Sequence, residues 1–150
     1  MTGGEIDLPT PEATRSLGAA VAMALRLGEA ICLWGPLGAG KTTLARGLIG
    51  ALLRTPEDVP SPTFTLVQLY DGIAFPLSHF DLYRLNGPEE VRELGLDEAL
   101  DEGAAVIEWP ERLEGRLPRD RLDIVLSILG DGRRARLEPH GAWKGRSIER

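Results

Sequence analysis

One short glycine-rich segment, residues 35–42, constrains the fold of this chain more than any other feature. The apolar run over residues 30–34 precedes it and is typical of a strand buried on both faces of a parallel sheet. After it, leucines recur at helical spacing over residues 42–53. The sequence therefore predicts a strand, a tight loop and a helix in direct succession, which is a building unit of α/β proteins.

The segment has the full Gly-x-x-x-x-Gly-Lys-Thr spacing of a phosphate-binding P-loop. Glycines let main-chain N–H groups approach phosphate oxygens, and the positive end of the following helix points at the same anion. Lys41 is expected to reach the β- and γ-phosphates, Thr42 to bind Mg²⁺ and Thr43 to contact an α-phosphate oxygen. The predicted phosphate contacts are Gly38, Ala39, Gly40, Lys41, Thr42 and Thr43.

The rest of the chain alternates between strand and helix patterns. The predicted elements are a strand over 5–8, a helix from the N-cap Thr10 to Gly28, strands over 64–70 and 73–81 around Asp71-Gly72, helices over 88–94 and 96–102, a buried strand over 104–107, and a hairpin over 121–129 and 133–138. These patterns predict an α/β fold: a P-loop NTPase-like sheet with mixed strand directions, helices on both faces and a late β-hairpin. We expect one domain over residues 1–150, whose last ten residues or so could form a flexible tail.

Composition excludes several other classes of protein. The single cysteine, Cys32, rules out an internal disulfide framework. The chain shows neither a secretory signal nor a membrane-spanning apolar run, so we expect a cytoplasmic protein without membrane contact. The net charge of −6 argues against a general nucleic-acid binder, and the arginines near residue 134 are most simply a solvated strand edge.

Two acids follow apolar strand patterns, where the carboxyl ends of parallel strands meet a ligand. Glu108 has the better strand, and we assign it to Mg²⁺, directly or through water. Asp81 is then a second group near the metal or the group that orients an attacking water, although either acid could instead be a helix cap or a surface carboxylate. With Lys41 these acids form the predicted catalytic set. ATP is favoured over GTP because Asn86 is the only asparagine and no Asn-Lys-x-Asp segment surrounds it.

Four sequence blocks together resemble the TsaE family, bacterial ATPases of tRNA threonylcarbamoyladenosine (t6A) biosynthesis. The blocks are Gly-Ala-Gly-Lys-Thr-Thr at 38–43, Ser-Pro-Thr-Phe-Thr-Leu-Val at 61–67, His-Phe-Asp-Leu-Tyr-Arg-Leu at 79–85 and Ile-Glu-Trp-Pro-Glu at 107–111. Their order and spacing agree with the family over residues 10–136. One departure is Pro36, where family members commonly carry an acid, and Pro36 has no N–H to offer a phosphate.

The resemblance implies that the chain binds ATP with Mg²⁺, which Thr42 and Glu108 would hold, and that Asp81 serves hydrolysis. It implies that Thr10 and Arg133 approach the nucleotide, with Arg134 as the alternative one place further on. Trp109 would support the site, and the loop over 61–65 would sense the γ-phosphate. It also implies TsaB- and TsaD-type partner proteins, with tRNA involved indirectly and ATP driving a turnover or reset step.

Two other functions stay open at this stage. A small-molecule or nucleotide kinase would need an arginine-rich lid. The candidates for that lid are Arg112, Arg116, Arg119 and Arg121, although Gly115 and Pro118 interrupt any helix there. A sensor would bind ATP without hydrolysing it. For an ATPase we expect a low intrinsic rate that depends on partners, because no arginine is clearly placed as a finger. His79 is most simply a packed or surface side chain.

Overall fold

The computed structural model describes residues 4–62, 65–87 and 89–149. The strands are β1 (Glu5–Leu8), β2 (Ala30–Trp34), β3 (Val67–Tyr70), β4 (Leu77–Asp81), β5 (Ala104–Glu108), β6 (Arg121–Leu129) and β7 (Gly132–His140). The helices are α1 (Pro11–Ala24), α2 (Lys41–Leu52), α3 (Glu89–Leu94) and α4 (Leu96–Glu102). Single turns of 3₁₀ helix are Pro110–Leu113 and Gly141–Trp143.

The seven strands form one sheet in the order β1-β7-β6-β2-β5-β4-β3. β2 is parallel to both β5 and β6, and β4 is parallel to β5. β7 runs against β1 and β6, and β3 runs against β4. The predicted mixture of strand directions is confirmed, and the carboxyl ends of β2, β4 and β5 meet at one edge of the sheet.

Helices cover both faces of this sheet, as predicted. Successive strand side chains point to opposite faces. In β2, Ile31 and Leu33 belong to the core cluster that contains α1 and α2, whereas Ala30 and Cys32 belong to the cluster that contains α3 and α4. Burial raises the pKa of the Cys32 thiol, which therefore packs as a neutral apolar group.

Helices α1 and α2 pack at backbone contact, which fixes the position of the loop that precedes α2. A Cβ on Gly47 would collide with the carbonyl oxygen of Arg15, and a Cβ on Gly18 would collide with that of Leu44. Glycine at both positions thus lets the two helix backbones approach one another. The start of α2 is consequently set by the packing of the core.

Three predicted boundaries were wrong. The first helix ends at Ala24 rather than near Gly28, because Leu25 is extended and its N–H bonds to the carbonyl of Ala22. The strand expected from residue 73 begins at Leu77. Instead of forming a tight hairpin turn, the Asp71-Gly72 pair lies against the end of α2, where Gly72 forms an isolated β-bridge with Leu53. The strand expected over 64–70 begins at Val67, and its first predicted residue, Phe64, lies outside the described residues.

Residues 141–149 pack on the domain, although the sequence left open a flexible tail here. Trp143 is fully buried, and Ile148 joins the same core cluster. The Arg146 guanidinium donates to both carboxylate oxygens of the buried Glu29, at 2.7 and 2.8 Å, and lies 4.4 Å from the centroid of the Trp143 ring. Within the described ranges, no helix is long and apolar enough to cross a bilayer.

The contact between α1 and α2 predicts opposite effects for two substitutions in one helix. We expect Gly47→Ala to lower the free energy of unfolding by about 1–3 kcal/mol, since its Cβ would force the helices apart. Gly50 has no atom within 4 Å of a built Cβ. We therefore expect Gly50→Ala to raise stability by about 0.5–1 kcal/mol through helix propensity. Urea denaturation of both variants tests this pair, and equal shifts would contradict the close helix contact.

Candidate functional site

The loop between β2 and α2 is shaped by positive-φ glycines. Gly35 has φ 145°, and a Cβ there would lie 2.6 Å from the carbonyl oxygen of Leu126. Gly40 has φ 102° and caps α2 without any side-chain hydrogen bond to the first turn. The first N–H groups of α2 therefore lack a side-chain acceptor, which is the arrangement that receives an anion at a helix N-terminus.

Lys41 is held against the loop itself. Its side chain is nearly buried, and Nζ donates to the carbonyl oxygens of Gly35 and Pro36, the latter at 3.0 Å. Nζ also lies 3.8 Å from the centroid of the Trp109 ring. Burial lowers the pKa of Lys41, and the nearby charges of Glu108, Glu111 and Asp81 oppose that effect. An entering phosphate would offer this ammonium a charged partner in place of neutral carbonyls.

Glu108 joins three elements at the carboxyl edge of the sheet. Its Oε1 accepts a hydrogen bond from Thr42 Oγ1 at 2.9 Å, and its Oε2 lies 2.7 Å from His79 Nε2. Only 2% of the Glu108 side chain is exposed, so both oxygens depend on these donors rather than on water. The carboxylate thus connects the end of β5 to the start of α2 and to β4.

Asp81 lies beside Glu108 because the two residues are in register at the ends of parallel strands β4 and β5. Asp81 is buried, and its Oδ1 accepts the N–H of Tyr83 at 3.1 Å. The Tyr83 ring packs on that of Trp109, with centroids 4.9 Å apart. Trp109 has φ 60°, a left-handed conformation that costs an ordinary residue free energy and is concentrated at functional sites.

A cavity of about 440 Å³ opens above this edge of the sheet. It brings together Lys41, Thr42, Asp81 and Glu108, which the sequence predicted as the catalytic and metal residues, and it also reaches Arg84. Thr42 and Glu108, which the sequence predicted as metal ligands, both offer oxygen atoms to this cavity, and Asp81 offers a further carboxylate.

A second cavity, of about 130 Å³, adjoins the first on the other side of the loop and shares Gly38, Gly40 and Thr43 with it. Thr10 and Arg133, which the family resemblance placed near the nucleotide, both line this second cavity. Ala39 is buried within the loop. Of the phosphate-loop residues predicted from sequence, all but Ala39 therefore line one or both of these cavities.

The structure separates the two arginines that the sequence left as alternatives. Arg133 Nε donates to the carbonyl oxygen of Gly38 at 3.0 Å, so Arg133 lies at the loop. Arg134 points to the other face of the sheet and pairs with Glu5 and Asp7 of β1. Side chains alternate along β7, and this alternation puts Arg133 on the side of the loop.

Sequence reasoning missed the contact between His79 and Glu108. His79 is fully buried, as a packed histidine would be, yet its Nε2 is directed at a carboxylate of the predicted site. The alternation of side chains along a strand could have indicated this contact, since His79 and Asp81 are two residues apart and therefore point to the same face of β4. The predicted γ-phosphate sensor over 61–65 includes Thr63 and Phe64, which lie outside the described residues, whereas Ser61 lines the larger cavity.

A further acidic group lies away from this edge, on β6 and β7. Asp123, Glu138 and His140 have ligand-type atoms within 4.8 Å of one another. Arg121 pairs with Asp123 at 3.1 Å, and Arg136 pairs with Glu138 at 2.7 Å. These two guanidinium groups already balance the carboxylates, so the group is explained as a structural ion-pair network.

The fold and the site together define a P-loop protein of the α/β class, in which a buried strand leads through the loop 35–42 into α2 and acids end the neighbouring strands. A family model described as "Threonylcarbamoyl adenosine biosynthesis protein TsaE" matches residues 8–136. The chain belongs to the TsaE family, which confirms the resemblance seen in its four sequence blocks.

Individual relatives agree over most of their length. The chain is 37% identical over 134 residues to the tRNA threonylcarbamoyladenosine biosynthesis protein TsaE of Rickettsia bellii, covering 89% of this chain and 93% of that one. It is 39% identical over 125 residues to the protein of the same name from Bacillus subtilis, covering 83% and 77%. The crystal structure of YdiB from Bacillus subtilis superposes with a TM-score of 0.76 at 33% identity, covering 92% and 86%.

The contact between Lys41 and Trp109 predicts a spectroscopic signal for anion binding. Pyrophosphate in the loop should draw the ammonium off the indole ring, so we expect the tryptophan emission to change. The change should disappear in Lys41→Met and in Trp109→Phe. Sodium chloride at equal ionic strength is the control. A full signal in Trp109→Phe would instead assign it to Trp34 or Trp143 and contradict the expected movement of Lys41.

Proposed function

We propose that this protein binds Mg·ATP at the loop between β2 and α2 and hydrolyses it in support of t6A biosynthesis in the cytoplasm. The observation that carries this proposal is the convergence of Lys41, Thr42, Asp81 and Glu108 on one cavity at the N-terminus of α2. The cavity combines a cation and helix N–H groups for phosphate with buried carboxylates. Family membership and the names of the relatives supply the link to t6A.

The donor atoms present fit a magnesium ion. Thr42 Oγ1 and Glu108 Oε1 are oxygens 2.9 Å apart. Neighbouring ligands of an octahedral Mg²⁺ with bonds of about 2.0–2.1 Å are separated by about the same distance. We propose that these two residues hold the ion, Glu108 directly or through water. Bound Mg²⁺ would neutralise charge on the phosphate oxygens.

The protein's own groups would do the rest of the chemistry. Backbone N–H groups of residues 38–43 bind the phosphates, and Lys41 exchanges the carbonyls of Gly35 and Pro36 for phosphate oxygens. Asp81, buried and held by the N–H of Tyr83, orients the attacking water. Pro36 contributes a carbonyl to Lys41, which is consistent with an N–H at that position being dispensable.

We further propose that turnover is slow in the isolated protein and faster with a complex of TsaB- and TsaD-type proteins, with tRNA reached only through that complex. Arg84 is the arginine among the residues that line the larger cavity. Arg112 does not line it, and its guanidinium lies 5.9 Å from the centroid of the Tyr83 ring. A partner that supplied a further cation, or moved Arg84 closer to the transferred phosphate, would therefore raise the rate.

A nucleotide kinase is the less favoured alternative. Its arginine lid would have to be mobile, yet Arg121 lies within β6, where it pairs with Asp123 and donates to the carbonyl of Pro118. An ATP sensor would need no buried acid beside Glu108, and Asp81 is such an acid. Phosphate on an added nucleoside would support the kinase, and tight ATP binding without ADP under any condition would support the sensor.

Substitutions in the cavity should separate binding from hydrolysis. We expect Lys41→Ala to abolish measurable ADP binding in calorimetry, because the phosphates lose their cation. Glu108→Ala should keep ADP binding but lower phosphate release by about a hundredfold or more, since several kcal/mol of metal-dependent stabilisation is lost. Each assay is run with and without the partner complex. Unchanged hydrolysis in Glu108→Ala would move the metal role to Asp81.

The two neighbouring arginines provide a matched pair. We expect Arg133→Ala to weaken ADP binding about tenfold or more, the value of a charge-assisted hydrogen bond of roughly 1.5–3 kcal/mol. Arg134→Ala should leave ADP affinity unchanged, because Arg134 pairs with β1 on the other face. Calorimetric titration of both variants measures the difference. Equal losses would show that the effect comes from net charge and not from contact at the loop.

A further inference from the structure

We propose that His79 is a positioning residue that fixes the Glu108 carboxylate for metal binding. The inference rests on the proposed role of Glu108. It assigns to a fully buried histidine a function that the loop residues do not share. His79 is not among the residues that line the two cavities at the loop, so its effect would pass through Glu108.

The contact is short, buried and set by the sheet. His79 Nε2 lies 2.7 Å from Glu108 Oε2, with the two side chains 0% and 2% exposed. The strands are parallel and in register, with His79 opposite Val106 and Asp81 opposite Glu108. The imidazole therefore reaches diagonally along one face of the sheet to the next side chain. Both side chains belong to strands, so the register of the sheet sets this geometry.

The direction of the hydrogen bond follows from the chemistry of the two groups. A carboxylate oxygen accepts, so His79 Nε2 carries the proton and donates it to Glu108 Oε2. The other ring nitrogen, Nδ1, is buried and has no hydrogen-bond partner among the described residues, so Glu108 is the polar group that the imidazole serves. The histidine thus acts as a fixed hydrogen-bond donor to the carboxylate.

This donor divides the two oxygens of Glu108 between two tasks. His79 occupies Oε2, so Oε1 faces Thr42 and the cavity. When the Thr42 hydroxyl turns its oxygen towards a cation, the donor to Oε1 is lost, but the contact at Oε2 still holds the carboxylate in place. Groups that do not bind a metal themselves but hydrogen-bond to its ligands commonly set the orientation of those ligands.

Without His79 the carboxylate has a competing partner. The charge of Glu108 already acts on Lys41, as its upward effect on the pKa of that lysine shows. A Glu108 side chain released from His79 would be free to turn towards the ammonium. That ion pair would remove one ligand from the cation and one cation from the phosphates at the same time.

Three substitutions at His79 test the assignment. Glutamine carries an amide N–H at about the reach of Nε2, whereas asparagine is too short and leucine has no donor. We expect His79→Leu and His79→Asn to weaken the binding of Mn²⁺ to the ADP-loaded protein by about 10–100-fold, measured by electron paramagnetic resonance. His79→Gln should restore the affinity to near the original value. ADP affinity in EDTA should also fall in His79→Leu and His79→Asn, where Glu108 can turn to Lys41, and should stay near the original value in His79→Gln.

A double-mutant cycle and a structure without nucleotide complete the test. In a Glu108→Ala background, His79→Leu should cause no further loss of Mn²⁺ affinity. Crystals of the nucleotide-free variants should show the Glu108 carboxylate displaced in His79→Leu and in place in His79→Gln. An undisplaced carboxylate in His79→Leu, or Mn²⁺ affinity that falls equally in the glutamine variant, would overturn the proposal.

These readouts separate the inference from the proposed function. If the original protein binds Mn·ADP but releases no phosphate from ATP, hydrolysis is disproved while the affinity ratios still decide the role of His79. If no nucleotide binds at all, the position of Glu108 in the crystals decides it. A variant that loses stability while keeping Mn²⁺ affinity and the Glu108 position would show that His79 serves packing only.

Discussion

The burial of the Glu108 carboxylate is the constraint on which the site depends. A nearly inaccessible charge needs hydrogen-bond donors from the protein, and here they come from Thr42 at the start of α2 and His79 in β4. Satisfying one carboxylate therefore requires a helix and two strands to be correctly placed relative to one another. The site is a product of the sheet register and of the helix packing at the same time.

Close backbone packing between α1 and α2 places the start of α2, and so Thr42, correctly relative to Glu108. Glycines at positions 18 and 47 let α1 and α2 approach at backbone contact, which sets the height of the α2 N-terminus above the sheet. The loop between β2 and α2 then has little freedom, and its carbonyls receive Lys41. Strain at Trp109, with φ 60°, places the indole over that lysine. The packing of the core helices therefore also holds the loop in one conformation.

Local signals predicted most of the fold and the chemistry of the loop, and contacts between distant segments account for what they missed. The run 30–34, the spacing over 35–42 and the late hairpin are continuous in sequence, so their patterns could be read directly. The contact between His79 and Glu108 depends on the register of β4 against β5, which no local pattern specifies. Likewise, Asp71-Gly72 has a turn sequence, but its bonds to the end of α2 decided its conformation. Which of Arg133 and Arg134 faces the loop depends on which residues of β7 point to that face of the sheet, and the sequence alone does not specify this.

The ion pair between Arg146 and Glu29 shows that the folded core extends beyond the residues that the family model matches. The match to the family ends at residue 136, yet Trp143 fills the core and Arg146 neutralises the buried Glu29 ten residues beyond that point. A polypeptide that ended at residue 136 would lack Trp143, which would leave a cavity in the core. It would also lack Arg146, which would leave the buried Glu29 carboxylate without its cation. The packed core therefore extends beyond the region that the family model matches, and residues 141–149 close the α1 side of the molecule.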